Sequence, residues 1–447
     1  MMKMYLYLIM LILPIMYMKK FILNMYMYLM MMLMMFLMFF NFNYNSTLMN
    51  NIYYWMGMDN LSYSLMLLSI FIISMMFFVS VKIKNSKIFS LLLLILLLSL
   101  MISFSSMNYF LFYLFFEISL LPTFILIMMF GYQPERLNAS MYMMFYTLFA
   151  SLPLMLLIFM LFNLFNSLNY YFMFLMNINM SMNLMIFYFF MIFAFLVKLP
   201  MFMFHMWLPK AHVEAPVSGS MILAGVMLKL GGYGMIRSMN IMIKLSMKFN
   251  IIIIIFNLIG ILILSMLCLR QNDMKVLVAY SSVVHMSMML TSMMTMFLIG
   301  KFSSMMMMIG HGFCSPAMFM LVNFIYERTK SRNLFINKGM VNIFPSMMFW
   351  WFFFCVGNMG APITLNLISE LFISMSLLMW SMKLILMLIF MMLIGASYSL
   401  FLFSSVFHGS ISNNSKTLFN NKIMEFLSMF MLWIPMNFYI LKMELFI

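Results

Sequence analysis

Apolar runs about as long as a lipid bilayer is thick recur along the whole chain, and they leave few folds open. A helix needs about 20 residues to cross the hydrocarbon core. "LLLLILLLSLMISF" (91–104) and "IIIIIFNLIGILIL" (251–264) are the centres of two such runs. Of the 447 residues 67% are hydrophobic and only 7% charged, whereas a water-facing surface needs roughly a quarter charged. Alternation with period two is weak, which favours helices over a barrel. The expected fold is therefore all-α, a single polytopic membrane domain over 1–447 whose first partner is the lipid bilayer.

Segmentation by length predicts about fourteen transmembrane helices. They fall at 4–17, 21–40, 58–81, 88–107, 108–130, 139–165, 183–206, 213–237, 250–268, 274–297, 303–326, 343–375, 382–406 and 423–442. The first run is short, but Lys19 and Lys20 follow it rather than precede it, and no small-residue cleavage site appears. It reads as a retained helix, not a signal peptide.

A net charge of +15 would suit nucleic acid if the basic residues shared one soluble face, but they are sorted by loop instead. Odd-numbered loops hold 15 Lys and Arg, against 7 in the even loops and termini; the remaining two are Lys198 and Lys229. This bias places the odd loops on the side where the protein is made and both termini opposite.

Cys268, Cys314 and Cys355 are far apart and lie in or beside apolar spans. Zinc and iron–sulfur sites need close-spaced ligand pairs, so these read as buried apolar filler and no metal is expected. "LGGYG" (230–234) follows no strand and reads as helix termination or close helix packing, not a nucleotide fingerprint. Methionine reaches 73 residues beside abundant Phe, Ile, Asn and Tyr. That composition suits an A+T-rich organelle gene with methionine drifting among interchangeable apolar residues.

Most acidic residues have an ordinary reading. Asp59 and Asp273 stand at span starts, where capping and the helix dipole favour them. Glu135, Glu327, Glu425 and Glu444 fall in loops or at span ends, where solvation and orientation suffice. Glu117 in "YLFFEISLLPTF" differs, because it lies about ten residues, or ~15 Å, into its span. A charge at that depth costs at least about 2.5 kcal/mol. Lys198, Lys229 and Glu370 are enclosed in the same way.

Structural ion pairing would account for each of these four singly. Two acids and two bases together favour a proton relay, because an apolar surrounding penalises the charged form of either type and lets it exchange protons near neutral pH. His285 and His311, between Lys229 and Glu370 in chain order, add groups that titrate close to that range. His205, His212 and Glu214 cluster around the loop after the seventh span, where proton uptake, docking and packing read alike.

Pro200, two residues after Lys198, removes a backbone donor and should break the seventh helix. Gly360 and Pro362 repeat the device ahead of Glu370, in a twelfth span long enough to contain an interruption. Irregular backbone at membrane depth is tolerated where it lines protein or water. Two broken helices five places apart suggest inverted five-helix repeats, over 88–237 and 250–407, as in membrane transporters.

"FAFLVKLPMFMFHMWLPKAHVEAPVSGSMILAGVMLKLGGYG" (193–234), "LRQNDMKVLVAYSSVVHMS" (269–287), "IGHGFCSPAMF" (309–319) and "NMGAPITLNLISE" (358–370) stand in that order. They resemble the signature of the antiporter-like, proton-translocating subunit family of respiratory complex I, the mitochondrial NADH:ubiquinone oxidoreductase. The "LPKAHVEAP" wording and the length favour its subunit 4 branch over subunits 2 and 5. The resemblance covers roughly 88–407.

It implies fourteen helices with the seventh and twelfth interrupted, and a charged axis mapping onto Glu117, Lys198, Lys229 and Glu370 with His285 and His311 along the centre. It also implies a multi-pass, mitochondrially encoded protein of the inner membrane, partnered by other membrane-arm subunits. No redox chemistry or cofactor is expected in this chain; NAD, FMN and iron–sulfur clusters belong to partner subunits. A free-standing cation/proton antiporter subunit and a purely structural scaffold are the alternatives.

Overall fold

A computed structural model describes residues 2–41, 50–53, 55–81, 83, 85–175, 184–410 and 421–446. Lys82, Lys84 and Lys416, which contribute to the loop bias, lie outside the described residues. The apolar runs become helices: α1 (Met2–Met10), α2 (Ile12–Tyr17), α3 (Lys20–Asn41), α4 (Asn60–Val79), α5 (Ser86–Ser105), α6 (Tyr109–Ile118), α7 (Leu120–Phe130), α8 (Arg136–Phe165), α9 (Tyr170–Leu175) and α10 (Leu184–Lys198). There follow α11 (Trp207–Glu214), α12 (Val217–Ile222), α13 (Leu228–Ile241), α14 (Ile243–Leu269), α15 (Met274–Met294), α16 (Leu298–Thr329), α17 (Pro345–Asn358), α18 (Leu365–Trp380), α19 (Ile385–Phe407) and α20 (Ile423–Phe438). Among the described residues one short antiparallel hairpin, β1 (Asn50–Tyr53) with β2 (Met56–Met58), interrupts the run of helices.

Eleven helical segments among the described residues are long and apolar enough to cross a membrane, and Met2–Tyr17, Met185–Lys198 and Leu365–Trp380 are shorter apolar helices. The chain divides into two compact units. One comprises Met1–Lys198, Glu214–Phe249 and Glu444–Ile447; the other comprises Leu199–Val213 and Asn250–Met443.

In the first unit α3 packs on α4, α8 on α10, and α4 and α6 on α5. The outer face of α8 leaves Phe145, Phe149, Leu152 and Leu156 exposed, as a lipid-facing helix should. An 18-residue window within Val217–Ile241 is instead buried throughout. In the second unit α16 is central, touching α15, α17, α18 and α20.

Three local departures from the expected spans have physical causes. The span at 108–130 is divided at Ser119 into α6 and α7. Pro122 lacks the N–H that would bond back to Ile118, and its ring crowds that carbonyl. "LGGYG" does not end a helix, since α13 runs on to Ile241; it is a close-packing site, where a methyl at Gly234 would collide with the Phe195 ring of α10. Residues Leu223–Met227, between α12 and α13, form a π-helical turn. Such turns hold one extra residue and often mark functional sites.

Candidate functional site

The first unit holds Glu117, Lys198 and Lys229. α10 stops at Lys198, and regular α-helix resumes only at Trp207. Between them lies Pro200, and Met203 adopts a left-handed φ of 81°. The buried Lys198 ammonium donates to the Phe116 carbonyl at 3.2 Å and lies 3.3 Å from the centroid of the Phe116 ring. That carbonyl belongs to the last turn of α6, where helix acceptors are left over. The acceptor that holds the lysine thus lies at the junction of α6 and α7, two residues before the Ile118 carbonyl that Pro122 leaves without its regular donor.

Glu117 is the next residue along. Neither of its carboxylate oxygens has a hydrogen-bond partner among the described residues, although its charge and that of Lys198 interact. Ser151 of α8 lies beside it, with its hydroxyl directed to Leu148 O at 3.1 Å. The ammonium is therefore anchored to the backbone adjoining Glu117 and not to its carboxylate. With Ile118, Leu120, Leu121, Met144 and Leu148, Glu117 lines an apolar cavity of about 200 Å³.

Lys229 is the second residue of α13, directly after the π turn, and is fully buried. Its ammonium donates to the Ala224 carbonyl inside that turn. Both buried lysines thus rest on carbonyls at helix irregularities, which hold an ammonium without cancelling its charge.

The second unit gathers His285, His311 and Glu370. α17 ends at Asn358 and α18 begins at Leu365. The segment between contains Pro362 and two left-handed residues, Gly360 (φ 71°) and Ile363 (φ 70°). A Cβ at Gly360 would strike the Glu370 carboxylate, so the glycine in the break makes room for the acid. Asn366 Nδ2 donates to Gly357 O at 3.0 Å and ties the two half-helices together.

His285 Nδ1 stands 3.6 Å from Glu370 Oε1, and its Nε2 is 3.2 Å from the Tyr398 hydroxyl. The rings of His285 and His311 have centroids 5.8 Å apart. His311 Nδ1 is 3.3 Å from Ser315 Oγ, which also donates to His311 O at 2.7 Å. Groups able to accept and release protons thus follow one another from Glu370 to His311 on α18, α15 and α16.

The other polar candidates make contacts of their own outside this row. His212 stacks on Phe319, with centroids 4.8 Å apart, and His205 lies parallel to Phe202 at 5.8 Å. Lys275 donates to Val213 O at 3.0 Å. The three cysteines are buried and not disulfide-bonded. Among the described residues no group of three or more His, Cys, Asp or Glu side chains is placed to hold a metal ion.

Sequence reasoning missed Tyr398 and two buried ion pairs. Glu425 is not merely a solvated end charge: it pairs with Arg328 and accepts from Lys422 N at 3.3 Å at the start of α20. Asp59 does precede α4, where its N–H donates to Ser62 Oγ at 2.7 Å. Its carboxylate is engaged elsewhere, 2.5 Å from Arg237. Partners so distant in sequence left no local signal of either pair.

Bilayer-length helices interrupted beside buried acids and bases define an antiporter-like membrane protein. A family described as NADH:quinone oxidoreductase/Mrp antiporter, transmembrane, matches residues 106–397. The description NADH-ubiquinone oxidoreductase chain 4, amino terminus, matches residues 1–105. The chain belongs to the NADH-ubiquinone oxidoreductase chain 4 family.

Chain 4 of Ceratitis capitata is 46% identical over 400 residues, covering 88% of both chains. Chain 4 of Locusta migratoria is also 46% identical, over 402 residues, 89% of this chain and 90% of its own. A chain in the structure of respiratory complex I from Thermus thermophilus with bound NADH shares the fold at a TM-score of 0.87. That match has 17% identity and covers 99% of this chain and 97% of the other.

Proposed function

We propose that this chain is a core membrane subunit of respiratory complex I that translocates protons across the mitochondrial inner membrane. NADH oxidation and ubiquinone reduction take place on other subunits, which carry NAD, FMN and the iron–sulfur clusters. The observation that carries this reading is where the buried ionisable groups sit. Lys198 ends α10, Lys229 follows a π turn, and the Glu370 carboxylate lies against Gly360 in the break before α18. Irregular backbone beside an ionisable group is the arrangement transporters use for ion sites at membrane depth.

In this reading the eleven long helices and three shorter apolar ones make fourteen spans, arranged as two inverted repeats over 88–237 and 250–407. Glu117 and Lys198 couple to a neighbouring antiporter-like subunit. Lys229, His285 and His311 pass protons along the membrane midplane, and Glu370 is the terminal acid. The protein chemistry needed is loading and unloading of these side chains: an opposite charge drawn close favours the protonated lysine, and its withdrawal releases the proton.

The test is proton pumping per NADH oxidised by the complex in reconstituted vesicles carrying Glu117→Gln or Glu117→Asp. Glutamine should lower pumping, and aspartate should do less harm because the charge remains while the reach shortens by one methylene. Unchanged pumping and turnover with glutamine would return Glu117 to a structural ion. Purification without flavin- and cluster-bearing subunits would instead favour a free-standing cation/proton antiporter.

A further inference from the structure

The first unit contains a second charged cluster, at one end of α13, which the relay does not use. Lys229, Tyr233 and Arg237 are spaced four residues apart, so they form one stripe along that helix, about 12 Å long at helical rise. At the stripe's end, Arg237 pairs with Asp59, which precedes α4. Its guanidinium carbon lies 4.9 Å from the Tyr233 ring centroid and 5.5 Å from that of Tyr170. Tyr170 packs edge-on against Tyr109 at 5.8 Å, and all three tyrosines are buried.

The loops around the cluster are tied by backbone bonds: Met107 N to Trp55 O (2.9 Å), Tyr109 N to Leu168 O (3.0 Å) and Tyr170 N to Met107 O (3.1 Å). The cluster thus sits under a knitted cover made from the loops before α4, α6 and α9.

Its chemistry is unlike that of the relay. A guanidinium keeps its proton under all ordinary conditions, so it cannot receive one and hand it on. Tyr233, the link between Lys229 and Arg237, spends its hydroxyl proton on the Phe104 carbonyl at 3.0 Å, a backbone acceptor that leads nowhere. The cation is the deeper partner: its side chain is 7% exposed against 18% for Asp59. The positive end of the pair therefore faces the tyrosines and the anion faces the loops. Fixed arginines exclude protons and cations from membrane pores in this way.

We propose that Arg237, held by Asp59 and packed among Tyr109, Tyr170 and Tyr233, is a proton barrier that closes this end of the first unit, so that a proton on Lys229 does not escape along α13 to the loops. The inference rests on Lys229 carrying protons, but its test does not depend on pumping.

The complex is reconstituted in vesicles holding a pH-sensitive dye, a pH step is imposed without NADH, and passive proton flux is followed. The Asp59→Asn/Arg237→Gln double variant removes both charges and leaves no buried ion unpaired; passive flux should rise severalfold. Arg237→Lys keeps the positive charge and should stay as tight as the natural protein. An intact double variant with unchanged flux would overturn the proposal, as would Arg237→Lys leaking as much as the double variant. Failure of the double variant to assemble would assign the pair to holding helices together instead.

Discussion

His285 and Glu370 face one another across 3.6 Å, Nδ1 to Oε1, while the other ring nitrogen of the same histidine meets the hydroxyl of Tyr398. An imidazole hydrogen-bonded at one nitrogen, with a carboxylate just beyond hydrogen-bond range of the other, can take a proton on one side and yield one from the other after a small approach. The pairing therefore joins α18, α15 and α19 through a single ring.

Glu370→Gln removes the only group in that trio that can be anionic at ordinary pH. Protons pumped per NADH should fall severalfold in reconstituted vesicles. Glu370→Asp should fall between, because the charge persists while its reach toward His285 shortens. Full pumping with glutamine would remove Glu370 from the path.

Tyr398→Phe deletes the partner of His285 Nε2 and little else. A hydrogen bond of this kind contributes ~1 kcal/mol, so the step through His285 should slow by up to about tenfold. Assembly should be unaffected, because the phenyl ring still fills its site. Pumping and turnover measured on intact complex check this, and a wild-type ratio would show that the hydroxyl only packs.

Pro122→Ala should separate stability from function. The alanine supplies the missing N–H, letting α6 and α7 join as one regular helix, and a proline inside a helix costs roughly 3 kcal/mol. The new N–H would bond back to the Ile118 carbonyl, and regularising that turn should draw the Phe116 carbonyl onto Leu120 N and loosen its hold on Lys198. Thermal stability of the complex should hold or rise while pumping falls; loss of both would mean that the interruption at Ser119 is needed for folding.

Gly234→Ala places a methyl where Phe195 lies. Overpacking of this kind costs typically about 1–3 kcal/mol, so the melting temperature of the assembled complex should drop. Gly395 provides the control, since nothing lies within 4 Å of a Cβ there. Gly395→Ala, inside α19 and unobstructed, should hold or slightly raise the melting temperature.

The loop bias of 15 against 7 basic residues predicts the side on which residues 327–341 lie. A membrane-impermeant label applied from the intermembrane space to intact inner membranes should fail to reach this loop. Labelling there would invert the assigned orientation.

Glu117, Lys198, Lys229 and Glu370 were legible because a charge inside an apolar run is costly wherever the fold puts it. Pro200 and Pro362 were legible because a missing N–H acts locally. Pro122 carries the same signal, yet the 108–130 run reads as one span, since a single 23-residue apolar run is already the length of one crossing and leaves no surplus to mark an interruption. Tyr398 gives no warning in "GASYSL", and neither Arg237 nor Glu425 announces its partner. These roles arise only when helices remote in sequence come together.

The π turn at Leu223–Met227 bears on how the second half of its helix is aimed. One surplus residue in a helix rotates everything beyond it by about 100° relative to an uninterrupted α-helix. Lys229, Tyr233 and Arg237 share a direction through their spacing, and that surplus sets which way the shared direction points. Removing a single residue from 223–227 would swing all three away together while leaving every side chain chemically intact, a change of phase that no substitution along the helix reproduces.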